Sequence, residues 1–574
     1  MFKENQKHRQ ISIYGMVHQF KPGMMKRLDK SWAPIFRKLI FEKIDERRYA
    51  VLYSSIESRP NFPVNIWVGL EILKALHDYT DEELIDQFHF NLLCARALGQ
   101  DNLGDITLSE RTIYYNRQRL LEYEKQSGRN LLEEEFKSLS AEAITKLKLD
   151  TGTQRMDSTM IGSCIKQMSR LELIAKVLQN FYRDLSEAEQ SRWKERLTGY
   201  IEETADHIAY HLKRVEIEEH LQKLGGLLFE LHEAYNGDAD IRALKSYQHV
   251  SRLLMEQYKI KIDLEKTSLE VKPAKEISSG SLQNPADDTA TFRHKNGENY
   301  HGDILNIAET CHPDNPVQLL TDISLHTNNT SDETILVERI PDLKERTGLD
   351  QLITDGGYSG EKAESACQLE SVTLIPTEVK GRKLGEDKIA LAQFQIEANQ
   401  VITCPAGQSP LSQTYKPEKE HHIVHFAAAV CCACSQREHC LARSGKRFFS
   451  LIYNDRQLLL SRRREQFGEE SYRILCNLRP AVEGTISQFK RKTHNGKLRI
   501  RLINRIRNST ILMAIGINFS RLLDYYRKNQ SRWDTLLASF ILLLMYLAHI
   551  ERKMTKILNS VSVHPVLVNQ PVFG

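Results

Sequence analysis

Cysteine, excess charge and long apolar runs are all scarce in this chain of 574 residues, and each scarcity excludes something. Ten cysteines over that length are too dilute for a disulfide scaffold. Lys and Arg number 79 against 75 Asp and Glu, a formal net charge of +4. That balance excludes a uniformly basic coat protein but leaves room for a local basic patch. The opening MFKENQKHRQ is polar and lacks the apolar stretch of a signal peptide. One apolar run invites a membrane reading, Leu536–Ala548 (LLASFILLLMYLA). It is shorter than the roughly 20 residues that span a bilayer, so it reads as a buried helix. There is no internal repeat and no low-complexity tract. The remaining composition, 41% hydrophobic and 27% charged, is that of a globular protein. Its length implies about two to four domains. The expectation is a soluble, cytoplasmic protein.

Residues 1–145 read as helical. Pro63 opens VNIWVGLEILKALHDY, with apolar residues at helical spacing, and Thr80 caps DEELIDQFHFNLLCARAL. Thr107 opens a third helix, whose Arg111, Arg117 and Arg119 either meet phosphate or line a solvated face. A strand is expected near Gln154–Met160, then helix from about Met168 to Lys261. Asn299–Ala308 and Val317–Leu325 read as an antiparallel pair around CHPDNP. A helix is expected over Asp332–Thr347, a short strand over Asp350–Asp355, a helix over Glu361–Leu369 and a strand over Val372–Pro376. Residues 380 to about 465 read as irregular and hold half the cysteines. Beyond Tyr472 the chain reads as helical and basic.

Three acids stand out by position. Asp157 lies in the strand containing MDSTMI. Asp355 closes another strand in LITDGGYSG, where glycines let the backbone turn sharply beside a cleft. Glu483 lies in a helix opened by Pro480. Two strand carboxylates and one helix carboxylate supply the hard oxygens that suit magnesium, and can hold two ions about 3.5–4 Å apart. Each acid alone has a plainer reading: a turn cap, a helix start, a solvated helix residue. The surroundings of Glu483 weigh against that. From Arg479 to Arg507 there are nine Lys and Arg and a single acid, Glu483. Cations around one carboxylate stabilise its charge and steer a phosphodiester backbone towards it.

With these motifs in this order, the chain resembles the DDE transposases of bacterial insertion sequences. The resemblance spans roughly 60–525. PVNIWVGLEILKALHDYTDEELIDQFHFNLLCARALG resembles their helical N-terminal region, MDSTMI their first-aspartate motif, and TDISLHTNNTSDETIL with LITDGGYSG the second. Arg479, Glu483 and Lys490 match the spacing of the third motif, although its tyrosine position holds Cys476.

The resemblance implies an α/β fold, an RNase H-like mixed sheet flanked by helices. Its core would comprise residues 146–167 and 280–380, with a helical N-terminal domain (1–145) that binds DNA ends. A helical insertion (168–279), a cysteine-containing insertion (381–470), a basic helical region (471–530) and a C-terminal helix and tail (531–574) would complete the chain. Asp157, Asp355 and Glu483 would hold two Mg2+ or Mn2+ ions. Arg479, Lys490, Arg491, Lys492, Lys497 and Arg499 would contact double-stranded DNA, on which the protein would act as a homodimer. The implied activity is binding of terminal inverted repeats, then metal-dependent cleavage and strand transfer. The alternatives are a nuclease of the same fold without strand transfer, or a non-catalytic DNA-binding descendant.

Cys404, Cys431, Cys434 and Cys440 form a separate candidate site. Four thiolates suit tetrahedral zinc, with Cys432, His425 and His439 as rival ligands. Reduced structural cysteines are the equal alternative. His301 reads as a strand-face histidine, since two-metal chemistry needs no protein base.

Overall fold

The computed structural model describes residues 1–9, 15–56, 59–210, 212–263, 266–379, 385, 387–397 and 399–529. The apolar run 536–548 lies outside the described residues. Among the described residues no helix is long and apolar enough to cross a membrane.

The first helices form where the sequence punctuates them. Pro63 precedes helix Val64–His77, whose first ten residues are all buried. Thr80 and Glu83 close a capping box on helix Asp81–Phe90, satisfying two backbone donors at once. Asn91 ends that helix and caps a separate short one, Leu92–Ala97, so DEELIDQFHFNLLCARAL is two helices; Glu110–Ser127 follows, capped by Ser109 rather than opened at Thr107. Arg117 does not face solvent there: it is tied to Glu71 and Asp81. These helices share one hydrophobic core with Ile161, Leu305 and Ile323 of the sheet and with Ile511, Leu512 and Phe519 of the terminal helix 503–529.

The main sheet begins at β1 (Thr153–Gly162). Helices between Arg170 and Gln257 follow, packed on their own core around Leu178, Phe181, Leu228 and Leu253. The expected helix does not reach Lys261. Tyr258–Asp263 (β2) pairs with Lys266–Val271 (β3), because YKIKID alternates apolar and polar residues at period two. The sheet then gains β4 (Thr291–Lys295), β5 (Glu298–Thr310), β6 (Leu320–Thr327), β7 (Gln351–Thr354) and β8 (Thr373–Pro376).

Its order is β4-β5-β1-β7-β8, with β6 also on β5. β5 is long enough for two partners, β4 along residues 298–302 and β6 along 303–309. β5 runs antiparallel to β1, β4 and β6, whereas β7 and β8 run parallel to β1. Helices Asp332–Thr347 and Glu361–Leu369 pack on Met156, Ala308 and Leu352 of the sheet. The result is a mixed α/β architecture with β1 near its centre.

The stretch from 380 to about 465 is not irregular among its described residues. They contain β9 (Gln395–Glu397) paired with β10 (Gln400–Thr403), and a four-stranded sheet ordered β11-β12-β14-β13. Those strands are Ser412–Lys416 (β11), His421–Ala427 (β12), Arg443–Ser444 (β13) and Phe448–Tyr453 (β14). Phe394, Val424, Phe426, Phe449 and Leu451 give this unit a core of its own. Helices Asp455–Gln466 and Glu470–Cys476 lead back to the main sheet. Arg479–Ala481 then forms a tight helical turn ahead of helix Val482–Lys490.

Candidate active site

Asp157 lies in the middle of β1, its side chain 9% exposed. Arg479 Nη2 donates to its Oδ2 at 2.8 Å, and Nη1 of the same guanidinium donates to Glu483 Oε1 at 3.1 Å. One cation therefore bridges an acid of the central strand and an acid of the helix. Asp355 sits one residue beyond β7, where Gly357 N–H donates to its Oδ1 at 2.7 Å. Burial pushes the Asp157 carboxyl up to about 6; Arg479 and the Ser158 amide oppose this, while Asp355 and Asp332 add to it. Arg479 thus ties Asp157 to Glu483, and Asp355 lies near enough to Asp157 for its charge to be felt there. They are not equivalent, since the Glu483 side chain remains 65% exposed.

A fourth carboxylate joins them. Asp332, in the first turn of its helix, accepts from Ser158 Oγ at 2.6 Å. A Cβ built on Gly357 would come within 2.8 Å of both Asp332 Oδ2 and Asp355 Oδ1, so glycine is needed for this close approach. The sequence hid Asp332 because an acid following a Ser cap reads as an ordinary first-turn residue. Its signal was the neighbouring block TNNTSDETIL, which leads into the second-aspartate strand.

Beneath the acids a buried ion network fixes the helix that carries Glu483. Glu309, on β5, is fully buried. It receives Arg155 at 2.7 Å, Arg521 at 2.8 Å and the Thr485 hydroxyl at 2.7 Å. Arg155 Nη1 also donates to the Leu478 carbonyl at 2.6 Å, which pins the chain directly ahead of Arg479. β1, β5 and both C-terminal helices are thereby locked together through one carboxylate.

The cations expected on DNA divide into two groups. Lys490, Arg491 and Arg499 are exposed, and Lys497 is half-buried with its Nζ on the Ile165 carbonyl at 2.8 Å. Lys492 is a correction. Its Nζ turns inward onto the Leu76 carbonyl at 3.0 Å, at the C-terminal end of helix Val64–His77, and burial draws its ammonium below the usual lysine range. It caps a helix instead of facing DNA. His301 contacts Gln283 Oε1 at 3.1 Å and meets the Phe292 ring edge to face.

Cys404, Cys431, Cys434 and Cys440 line one small cavity of about 30 Å³, walled by Phe394, Phe426 and Phe449. The Gln408 N–H points at Cys404 Sγ, 3.4 Å away. The rivals are elsewhere engaged: His425 with Ser450 at 2.9 Å and His439 with the Asp387 carbonyl at 2.5 Å, while Cys432 is exposed. All ten cysteines are free thiols. Burial raises Cys431 and Cys440, and the neighbouring thiols add to the rise. As the side chains stand, no three His, Cys, Asp or Glu among the described residues are gathered into a metal-holding group. At the acids the Arg479 guanidinium already occupies a cation's place.

Residues 403–523 match the family described as a transposase DDE domain. The match supports a DDE transposase. It spans Arg479, Glu483 and Lys490 together with Cys404, Cys431, Cys434 and Cys440, whereas Asp157 and Asp355 lie ahead of it. No curated protein and no solved structure matches the chain. The matched stretch is bolted through Glu309 to the strand carrying Asp157.

Proposed function

We propose that this protein is a transposase that binds the terminal inverted repeats of its element and catalyses metal-dependent DNA cleavage and strand transfer. The observation that carries the reading is the Arg479 bridge. One guanidinium binds Asp157 and Glu483, with the Asp355 charge acting on Asp157, within a chain carrying the transposase DDE match. The sheet supports an RNase H-like reading. Three antiparallel strands, β6, β5 and β1, are followed by the parallel β7 and β8, with acids on β1 and after β7.

The donor set fits divalent magnesium or manganese: hard carboxylate oxygens, already paired with one cation in Arg479. Asp157, Asp355 and Glu483 would hold such ions, with Asp332 beside them. Bound there, a divalent ion supplies activation of a water or hydroxyl nucleophile and stabilisation of the leaving oxygen. The chain's own residues do the rest. Lys490, Arg491 and Arg499 hold the phosphate backbone and set its register. Arg479 can exchange its two carboxylates for a phosphate, which frees the acids as DNA arrives. The Glu309 network keeps Glu483 fixed relative to Asp157 during that exchange. Two copies acting on paired ends complete the reading.

The thiol pocket is read in the same way as a structural zinc site. Support comes from four soft donors, drawn from three stretches of chain, converging on a cavity with room for a single ion.

The test is a manganese-dependent assay on labelled duplexes carrying the DNA that flanks the gene. Joining of the labelled end to a second duplex is the expected result. Nicking without joining would leave a nuclease, and binding without nicking a non-catalytic descendant.

A further inference from the structure

A cleft of about 710 Å³ opens beside Ser158, the neighbour of Asp157, and follows β1 towards Gly162. Lys490 and Lys497, at and beyond the end of helix Val482–Lys490, form one wall. The β4–β5 hairpin forms the other, through Lys295, Asn299 and Tyr300. Among the described residues none lining the cleft carries a carboxylate, although Asp332 meets Ser158 at its inner end.

The hairpin is a built feature. Lys295 pairs with Glu298 across a two-residue turn, Asn296–Gly297, in which both residues have positive φ. Its tip is exposed, and its base is tied down. Arg293 Nη1 donates to the Asn328 carbonyl at 3.0 Å, and Asn328 Nδ2 donates to the Tyr300 carbonyl at 3.1 Å. Those contacts connect the hairpin to the loop that delivers Asp332. Tyr300 itself is 37% exposed, an aromatic ring left at the rim of a polar, basic channel.

We infer that this cleft is the track for the DNA strand adjoining the scissile phosphate, with the β4–β5 hairpin as its outer wall. Lys295 meets a phosphate opposite Lys490, and Tyr300 stacks on a base exposed next to the cut. Charge fits the occupant, because a polyanion gains from an acid-free channel with lysines on both walls. So does position, because the channel starts at the carboxylates. An exposed ring beside a basic groove is how proteins hold unpaired bases without reading their sequence. The inference rests on the transposase reading and adds the hairpin to it.

The experiment uses the full chain and a short duplex with a single-stranded 3′ extension carrying 2-aminopurine, titrated across a salt series. Lys295→Ala should weaken binding several-fold and reduce the salt slope by about one. Tyr300→Ala should lose about tenfold in affinity and most of the 2-aminopurine quenching, while Tyr300→Phe keeps both. Lys275→Ala, an exposed lysine outside the cleft, should behave as the parent. Thermal melting of each variant separates lost contact from lost fold, and Lys295→Gln provides a second route should Lys295→Ala melt early. If Lys295 and Tyr300 variants match Lys275→Ala while the parent binds and nicks DNA, the cleft inference alone falls. If the parent neither binds nor nicks any duplex, the transposase reading falls and takes the cleft with it.

Discussion

The acid cleft and the thiol pocket both gather residues from distant parts of the chain, but different forces hold them. At the cleft, charge does the holding: Arg479 bridges Asp157 and Glu483, and Glu309 clamps Arg155 and Arg521 below. At the pocket the walls are largely aromatic, and the one charged group lining it, Arg437, lies over the Phe449 ring. Charge holds the first, and the apolar core around Phe394, Phe426 and Phe449 holds the second. A zinc ion on the thiols would add to the second and not to the first.

The largest expected effect exploits that difference. With zinc bound, chelation should strip hydrogen-exchange protection from β12 and β14 while β1 and β5 keep theirs, since structural zinc contributes roughly 10 kcal/mol in small sites. Zinc-free protein from a zinc-supplemented preparation, or equal loss in both regions, would break the comparison.

Next in size is the clamp itself. Glu309→Ala leaves the buried Arg155 and the half-buried Arg521 without their carboxylate, at a cost of about 3–5 kcal/mol. Chemical denaturation should report this, with nicking lost as the Glu483 helix loosens. A near-neutral result would mean that the ion network does not position the site.

Asp303 sharpens the same point from the opposite side. It lies on β5 as Glu309 does, but both its oxygens are buried without a partner. Burial pushes its carboxyl up to about 8, with Asp287 adding and Arg507 opposing. Unfolded, it would release its proton near pH 4, roughly the reference value. The folded state therefore holds the extra proton between those values, so stability is full below the window and falls as pH rises through it. Asp303→Asn should flatten that fall and stabilise the protein at about pH 8. Melting curves across pH, parent against variant, make the check; identical slopes would contradict it.

The smallest effect separates two neighbouring lysines. Lys492→Ala removes the cation at the end of helix Val64–His77 and should cost about 0.5–1 kcal/mol without changing the salt slope of DNA binding. Lys490→Ala should do the reverse.

Much of this was legible from sequence because the relevant signals are local. The Ser331 cap and the glycine after Thr347 mark the helix before the second acid, and that helix spans Asp332–Thr347 as expected. Asp157, Asp355 and Glu483 stood out through their motifs. What stayed hidden depends on tertiary contact. Nothing local shows that Lys492 turns inward or that Arg117 is consumed by Glu71 and Asp81. Asp332 looked like a helix-start acid until Gly357 brought Asp355 beside it. The sheet β11–β14 was missed because β11 is exposed along its whole length and so has no alternating apolar face, and β13 has only two residues.

The central claim is that Glu483 belongs to the catalytic acids and is more than a solvated residue on a basic helix. The most direct measurement is binding and manganese-dependent nicking of an end-containing duplex by Glu483→Gln and Lys490→Ala across a salt series. Glu483→Gln should bind as well as the parent or better, yet leave the duplex uncut at any DNA concentration. Lys490→Ala should bind more weakly, with a salt slope shallower by about one, and recover some cutting once DNA is in excess. Parent-level nicking by Glu483→Gln would contradict the account and send the search for the third acid to Asp332.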